Sequence, residues 1–241
     1  MSHNNTNTRL ILFDMDNTLV TVSRWHEQSI LETLLRVYGV DATQFIPRCT
    51  RGGNTQASAM RTICLSAGLE EELIESRLAE AEKVLSATAI EILPDDLRPY
   101  ILGGVLPLLQ SLQDSGHPLG LVTGTVSPTT RAILERTDLR RFFPVCACGE
   151  EQRTRVDLLH LLVERASEFY ELARAGVQLV VVGDSPRDIQ AGQAVGAWTV
   201  AVATGACSAT QLGEVSPDVT LPNFEDWSMA REALLNGRPS R

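Results

Sequence analysis

Aromatic residues are scarce: Phe, Trp and Tyr make up 5% of the 241 residues. A core must therefore be assembled mainly from Leu, Val, Ile and Ala, which the 44% hydrophobic content allows. No apolar run is long enough to cross a bilayer, so no membrane partner is expected. No basic stripe occurs and the formal net charge is −9, which argues against nucleic acid as the main partner. A chain of that charge that takes an anionic ligand needs local positive charge or a metal. Lysine is all but missing, with Lys83 the single example. The five cysteines (Cys49, Cys64, Cys146, Cys148 and Cys207) are odd in number. With no signal-peptide pattern before them, they point to a reducing cytoplasm rather than a disulfide framework. Cys146 and Cys148 sit in an apolar run with no second pair and no nearby His, and read as small buried strand residues. Residues 1–8 are polar and read as a disordered tail.

What is present is concentrated at three places. The run Leu10-Ile11-Leu12-Phe13 leads straight into Asp14-Met15-Asp16-Asn17-Thr18-Leu19-Val20. A short apolar run followed by polar residues reads as a buried strand and its end. Two carboxylates are thus delivered to the edge of a core strand, where open α/β sheets bind ligands. Two like charges there are costly unless something cationic accompanies them, and a divalent metal is the simplest answer.

From about residue 22 to 96 no convincing strand appears. Trp25, Ile30, Leu34, Leu35 and Val37-Tyr38 mark one amphipathic helix stopped by Gly39. Ala57–Ala67 marks another closed by Gly68, and Glu70–Thr88 a third, with Leu73, Ile74, Leu78, Ala81 and Leu85 at helical spacing. Pro94-Asp95-Asp96 and Pro99 read as a linker. Beyond about residue 103, helices and strands alternate. Leu106–Ser115 is a helix stopped by Gly116, Pro118–Thr123 a strand, and Ser127-Pro128 an N-cap with Pro at the first helical position. Phe143–Ala147 is a short strand, Val156–Ala175 a helix closed by Gly176, and Val177–Val182 a β-branched strand. Ser185-Pro186 starts a helix ending near Gly196, and Trp198–Val202 is the last core strand. Thr204-Gly205 reads as a structural turn. The pattern implies βαβ units: an α/β fold with a Rossmann-like parallel sheet, helices on both faces and an inserted α-helical cap. The expected boundaries are 9–21 and 97–241 for the core and 22–96 for the cap.

In a parallel sheet, strand ends far apart in sequence converge on one edge. The second such end carries Thr123-Gly124-Thr125, and the third Gly183-Asp184-Ser185-Pro186-Arg187-Asp188. The i, i+4 spacing lets Asp184 and Asp188 face one pocket. Asp14, Asp184 and Asp188 could then surround a hard cation such as Mg²⁺.

With Phe13-Asp14-Met15-Asp16-Asn17-Thr18-Leu19, Val122-Thr123-Gly124 and Val182-Gly183-Asp184-Ser185-Pro186-Arg187-Asp188 in this order, the chain resembles the haloacid dehalogenase-like phosphohydrolases with a helical cap, phosphoglycolate phosphatases among them. The resemblance implies Asp14 as nucleophile, forming an aspartyl-phosphate. It implies Asp16 as general acid and then base, with its main-chain carbonyl on the metal. Thr123 and the Gly124 N–H would hold phosphoryl oxygens. Asp184 would bind Mg²⁺ directly, and Asp188 directly or through water. The family usually places a Lys between these motifs, where this chain has Glu150-Glu151-Gln152-Arg153-Thr154-Arg155. Arg155 is the first choice for the cation and Arg153 the second. In the insertion, Arg51-Gly52-Gly53-Asn54-Thr55 resembles the cap loop that contacts substrate, so Gly53 and Asn54 are candidate contacts. Arg24 and His26 are left to solvent.

The implied activity is Mg²⁺-dependent hydrolysis of a small phosphomonoester, with a small phosphorylated metabolite as the partner and a monomer or homodimer as the assembly. Dehalogenases need neither the Asp16 acid/base nor a metal, and a phosphonatase needs a cap Lys at the site. A hexose-phosphate mutase, a nucleotidase or a pyrophosphatase uses the same aspartates. A non-catalytic binding protein on the same fold is the reading from another class.

Overall fold

The computed structural model describes residues 8–45, 55–172 and 177–237. Six parallel strands form one sheet: β1 (Arg9–Phe13), β2 (Leu119–Val122), β3 (Val145–Ala147), β4 (Gln178–Gly183), β5 (Trp198–Val202) and β6 (Val219–Leu221), in the order β3-β2-β1-β4-β5-β6. The strand β1 lies between β2 and β4, with Phe13 opposite Leu121 on one side and Val182 on the other. All five of its residues are buried, as a parallel sheet covered on both faces requires. Alternation along the strand sorts them. Ile11 and Phe13 join the cluster of Leu108, Leu112, Ile133 and Leu234, while Leu10 and Leu12 join Leu158, Leu162, Ala166 and Val181. The first face is covered by α5 (Val105–Asp114), α6 (Ser127–Arg136) and α10 (Trp227–Asn236). The second is covered by α7 (Arg155–Phe169) and α8 (Pro186–Ala194). A short α9 (Ala209–Gly213) packs Leu212 against Ile189 and Ala201. The expected fold class holds.

Between β1 and α5 lie α1 (Ser23–Tyr38), α2 (Gln56–Ser66), α3 (Glu71–Ser76) and α4 (Leu78–Ile92). They share a cluster of their own, including Ile30, Leu34, Met60, Ile63, Ala81 and Leu85. The chain leaves and returns along one path. Thr21 N–H donates to Tyr100 O (2.9 Å) and Leu102 N–H to Leu19 O (3.0 Å). Gly39 and Gly68 follow the first two helices with φ of 69° and 85°, the left-handed conformation glycine adopts freely.

Several boundaries differ from the sequence reading. The expected helix over 70–88 breaks at Arg77. The Ile74 carbonyl accepts from the Tyr38 hydroxyl (3.0 Å), and the Arg77 guanidinium donates to Val37 O. Long-range contacts to α1 thus fix the break, although the apolar spacing runs on through it. Ser127 is the first residue of α6 rather than its cap. Its N–H is taken by Glu150 Oε1 at 2.9 Å. The helix α7 ends at Phe169, short of Ala175. Glu171 turns to φ 52°, and the Tyr170 hydroxyl donates to Leu119 O at 2.9 Å. Gly176, its expected stop, lies outside the described residues, as do residues 1–7 of the expected tail. Trp198–Val202 is not the last strand: β6 pairs with it, and Asp226 then caps α10 by accepting from Met229 N–H at 3.0 Å.

Cys146 is the middle residue of β3 and Cys148 lies just beyond the strand. Both are free thiols, and burial pushes that of Cys146 up to about 12. Among the described residues, no helix is long and apolar enough to cross a membrane.

Candidate active site

In chain order the sheet grows outward from β1 through β2 to β3, then restarts at β4 on the other side of β1. The crevice at the carboxyl ends of β1 and β4 is therefore a topological switch point, the place where open α/β sheets take ligands. Asp14 follows β1 directly, and its N–H continues the ladder by donating to Val182 O at 2.9 Å. Asp184 follows β4. Asp188 lies in the first turn of α8, set by a capping box in which Ser185 Oγ accepts from Asp188 N–H and the Asp188 carboxylate accepts from Ser185 N–H. One carboxylate oxygen each from Asp14, Asp184 and Asp188 lies within 4.8 Å of the others, and all three residues are buried.

Arg155, the first residue of α7, reaches into this group. Its Nη2 donates to Asp14 Oδ1 and lies 2.6 Å from Asp188 Oδ1. Its Nε and Nη1 are buried with no partner. Arg153 is exposed, so of the two arginines the geometry places Arg155 at the site. The Thr18 hydroxyl donates to Asp14 Oδ2 at 3.2 Å. One guanidinium does not balance three carboxylates. Burial, and then the charge of Asp188, push Asp14 up to about 7 against the pull of Arg155. Burial, followed by Asp14 and Asp188, pushes Asp184 up to about 9. The two carboxylates hold Arg155 firmly protonated, above its ordinary range, despite its burial.

Asp16 stands apart from this group. Its Oδ1 accepts from Val22 N–H (2.9 Å) and its Oδ2 from the Ser23 hydroxyl (2.8 Å), both at the start of α1. His26 Nδ1 lies 3.5 Å from the same Oδ2, and its Nε2 is buried without a partner. Contrary to the expectation of a solvated side chain, His26 lies one helical turn beyond Val22, beside Asp16. Arg24 does face away. It stacks 3.9 Å over the Trp25 ring and donates to the Tyr100 hydroxyl.

Thr123 directly follows β2 in a buried position. Its Oγ1 accepts from Thr125 N–H at 3.1 Å, which leaves its own hydrogen to donate elsewhere. Gly124 O accepts from Gln56 N–H at 2.9 Å, so α2 reaches this loop. Gly53 and Asn54 lie outside the described residues. Gln56 was missed because nothing in its local sequence distinguishes it from an ordinary first-turn residue. Gly205, read as a plain turn, packs against Asp184: a Cβ there would lie 2.7 Å from Asp184 Cγ.

The donor set fits a hard divalent cation. It is all oxygen, buried and under-compensated, as the raised Asp14 and Asp184 show. A protein-family description, haloacid dehalogenase-like hydrolase, matches residues 8–196.

The chain belongs to the haloacid dehalogenase-like hydrolase family.

Within that family, it is 32% identical over 130 residues to the phosphoglycolate phosphatase of Escherichia coli K12, covering 53% of this chain and 49% of that protein. The chain thus spans about half the length of the curated relatives it matches. Among solved structures, a predicted phosphoglycolate phosphatase from Haemophilus somnus superposes with a TM-score of 0.67 at 19% identity, covering 94% of this chain and 99% of the other. A haloacid dehalogenase-like family hydrolase from Streptococcus pneumoniae does so with 0.65 at 19% identity, over 93% and 99%. At that identity these two likenesses establish the family's fold and nothing finer.

Proposed function

We propose that the protein is a Mg²⁺-dependent phosphatase that hydrolyses a small phosphomonoester, phosphoglycolate-like, through an aspartyl-phosphate on Asp14. The observation that carries this reading is Arg155. One nitrogen is spent on Asp14 and Asp188, and two more are buried without partners beside the nucleophile. Phosphoryl oxygens are the acceptors such a fork suits. The relative named a phosphoglycolate phosphatase supports the substrate class.

In the first step an Asp14 oxygen bonds to phosphorus as the bond to the leaving oxygen breaks. Asp16 gives that oxygen its proton. In the second step Asp16 takes a proton from water, the water oxygen attacks phosphorus, and the Asp14–phosphorus bond breaks to release orthophosphate. The Thr123 hydroxyl, the Gly124 N–H and Arg155 hold the phosphoryl oxygens through both steps. Asp14, Asp184 and the Asp16 main-chain carbonyl would hold Mg²⁺, with Asp188 directly or through water, and the ion would supply charge neutralisation for the phosphoryl group. Residues 22–96 act as a cap over the core of 9–21 and 97–241 and keep bulk water out.

The test is hydrolysis of an aryl phosphate with Mg²⁺, with EDTA, and by Asp14→Asn. Turnover that needs both Mg²⁺ and Asp14 is the expected result. Turnover that survives EDTA and the substitution would sink the assignment.

A further inference from the structure

Gln56 opens α2, yet it is only 6% exposed. Its N–H donates to Gly124 O at 2.9 Å, and its Oε1 accepts from Val126 N–H at 3.2 Å. Both partners belong to the loop after β2 that carries Thr123 and Gly124. That loop is braced from behind. Gly149 N–H donates to Thr125 O at 3.0 Å, and a Cβ on Gly149 would collide with Gly124 O. Because Val126 N–H can only donate, the amide orientation is fixed: oxygen on the loop, nitrogen free. That nitrogen, Nε2, is buried and has no partner. A buried donor in this condition destabilises the fold until an acceptor meets it. The surroundings favour an anionic acceptor. The helix α2 runs 11 residues, its N-terminus is capped by Thr55 Oγ1 accepting from Ser58 N–H, and the positive end of its dipole lies at Gln56.

We propose that Gln56 is the residue that reads the leaving group: its Nε2, at the N-terminus of α2, donates to a carboxylate oxygen of the phosphoglycolate-like ester proposed above. The inference rests on the phosphatase reading above and deepens it. Gln56 also joins the helical block to the loop beside the phosphoryl site, so the same side chain that meets the leaving group ties α2 to the core.

The experiment compares 2-phosphoglycolate with ethyl phosphate, a monoester of similar length that lacks the carboxylate. Wild type, Gln56→Met and Gln56→Glu are assayed with Mg²⁺. Gln56→Met also removes the acceptor of Val126 N–H and so lowers turnover of both esters, but the loss in kcat/KM on 2-phosphoglycolate is expected to exceed that on ethyl phosphate about 10- to 100-fold, because only the former also loses a buried partner. Gln56→Glu keeps an oxygen for Val126 and sets a second carboxylate against that of the substrate, so its loss on 2-phosphoglycolate is the larger. A binding readout free of turnover uses Asp14→Asn: 2-phosphoglycolate should raise its melting temperature more than ethyl phosphate does, and adding Gln56→Met should remove the difference. Equal losses on both esters would make Gln56 a structural prop and overturn the inference, as would no change on either. Should the wild type hydrolyse neither ester nor an aryl phosphate, the phosphatase reading itself falls. Aryl phosphate turnover with an unchanged ratio between the two esters defeats the Gln56 inference alone.

Discussion

The carboxylate of Asp184 packs against the main chain of Gly205, leaving no space for a side chain: a Cβ would lie 2.7 Å from Asp184 Cγ and closer still to Oδ2. The close approach joins the loop after β5 to the carboxylate at the end of β4. Gly205→Ala must therefore rotate Asp184 out of its place beside Asp14 and Asp188. Metal affinity is expected to fall about 10- to 100-fold, the usual cost of disturbing a ligand's support. Titration calorimetry with Mg²⁺ checks this, and an unchanged affinity would remove Asp184 from the ligand set.

Arg155 is the sole cation the described residues bring against Asp14. Removing one partner of a buried ion pair leaves the other uncompensated, at about 3–5 kcal/mol. Arg155→Met should therefore lower the melting temperature of the metal-free protein and abolish turnover. Arg155→Lys keeps the charge but not the fork, so it should fold while losing activity and affinity for orthovanadate. If Arg155→Lys matched wild type in both, the unpartnered Nε and Nη1 would have no part in phosphoryl binding.

The reach and the limit of the sequence are both visible at this site. Asp14, Asp184 and Asp188 were legible because each stands at a strand end or in the following helical turn, and a parallel sheet brings those ends together. Ser185 was legible as a cap because its partner is three residues away. Trp198–Val202 was legible because a β-branched run bounded by Gly196 reads as a strand. The break at Arg77 was not, since it depends on Tyr38 and Val37 from another helix. Gln56 was not, because its partners lie about 70 positions away. The strand β6 was missed because three residues, Val219-Thr220-Leu221, carry too little pattern. His26 was read as a surface residue because Asp16 is reached only once the chain turns back at Val22.

Asn17 sits in the left-handed region, with φ 59°. Its N–H donates to Val20 O at 2.6 Å, closing the turn that sends the chain into α1. Asparagine tolerates this conformation and glycine adopts it freely, whereas a β-branched residue strains there. Asn17→Gly should melt close to wild type, and Asn17→Val should lose about 1–2 kcal/mol. Urea denaturation of the two variants decides it. Equal stabilities would show that the turn relaxes at no cost.

Asp14 and Asp184 make the metal-free protein sensitive to pH in an unusual direction. Their ordinary value is 3.8; in the fold they rise to about 7 and about 9. Between 3.8 and these values the folded chain keeps protons that the unfolded chain has released. Stability of the metal-free protein due to these groups therefore falls as pH rises through that window, and changes no further above about 9. Below 3.8 both states are protonated, so the stability these groups contribute is fully present and no longer changes with pH. A divalent cation needs both carboxylates ionised, so at pH 6 its binding must displace the protons they hold. The rise in melting temperature on adding Mg²⁺ should grow from pH 6 to pH 8.5. Calorimetry in buffers of different ionisation enthalpy should show proton release at pH 6 that shrinks at pH 8.5. A Mg²⁺-induced shift independent of pH, with no protons released, would mean that the cation binds elsewhere and that the three aspartates do not hold it.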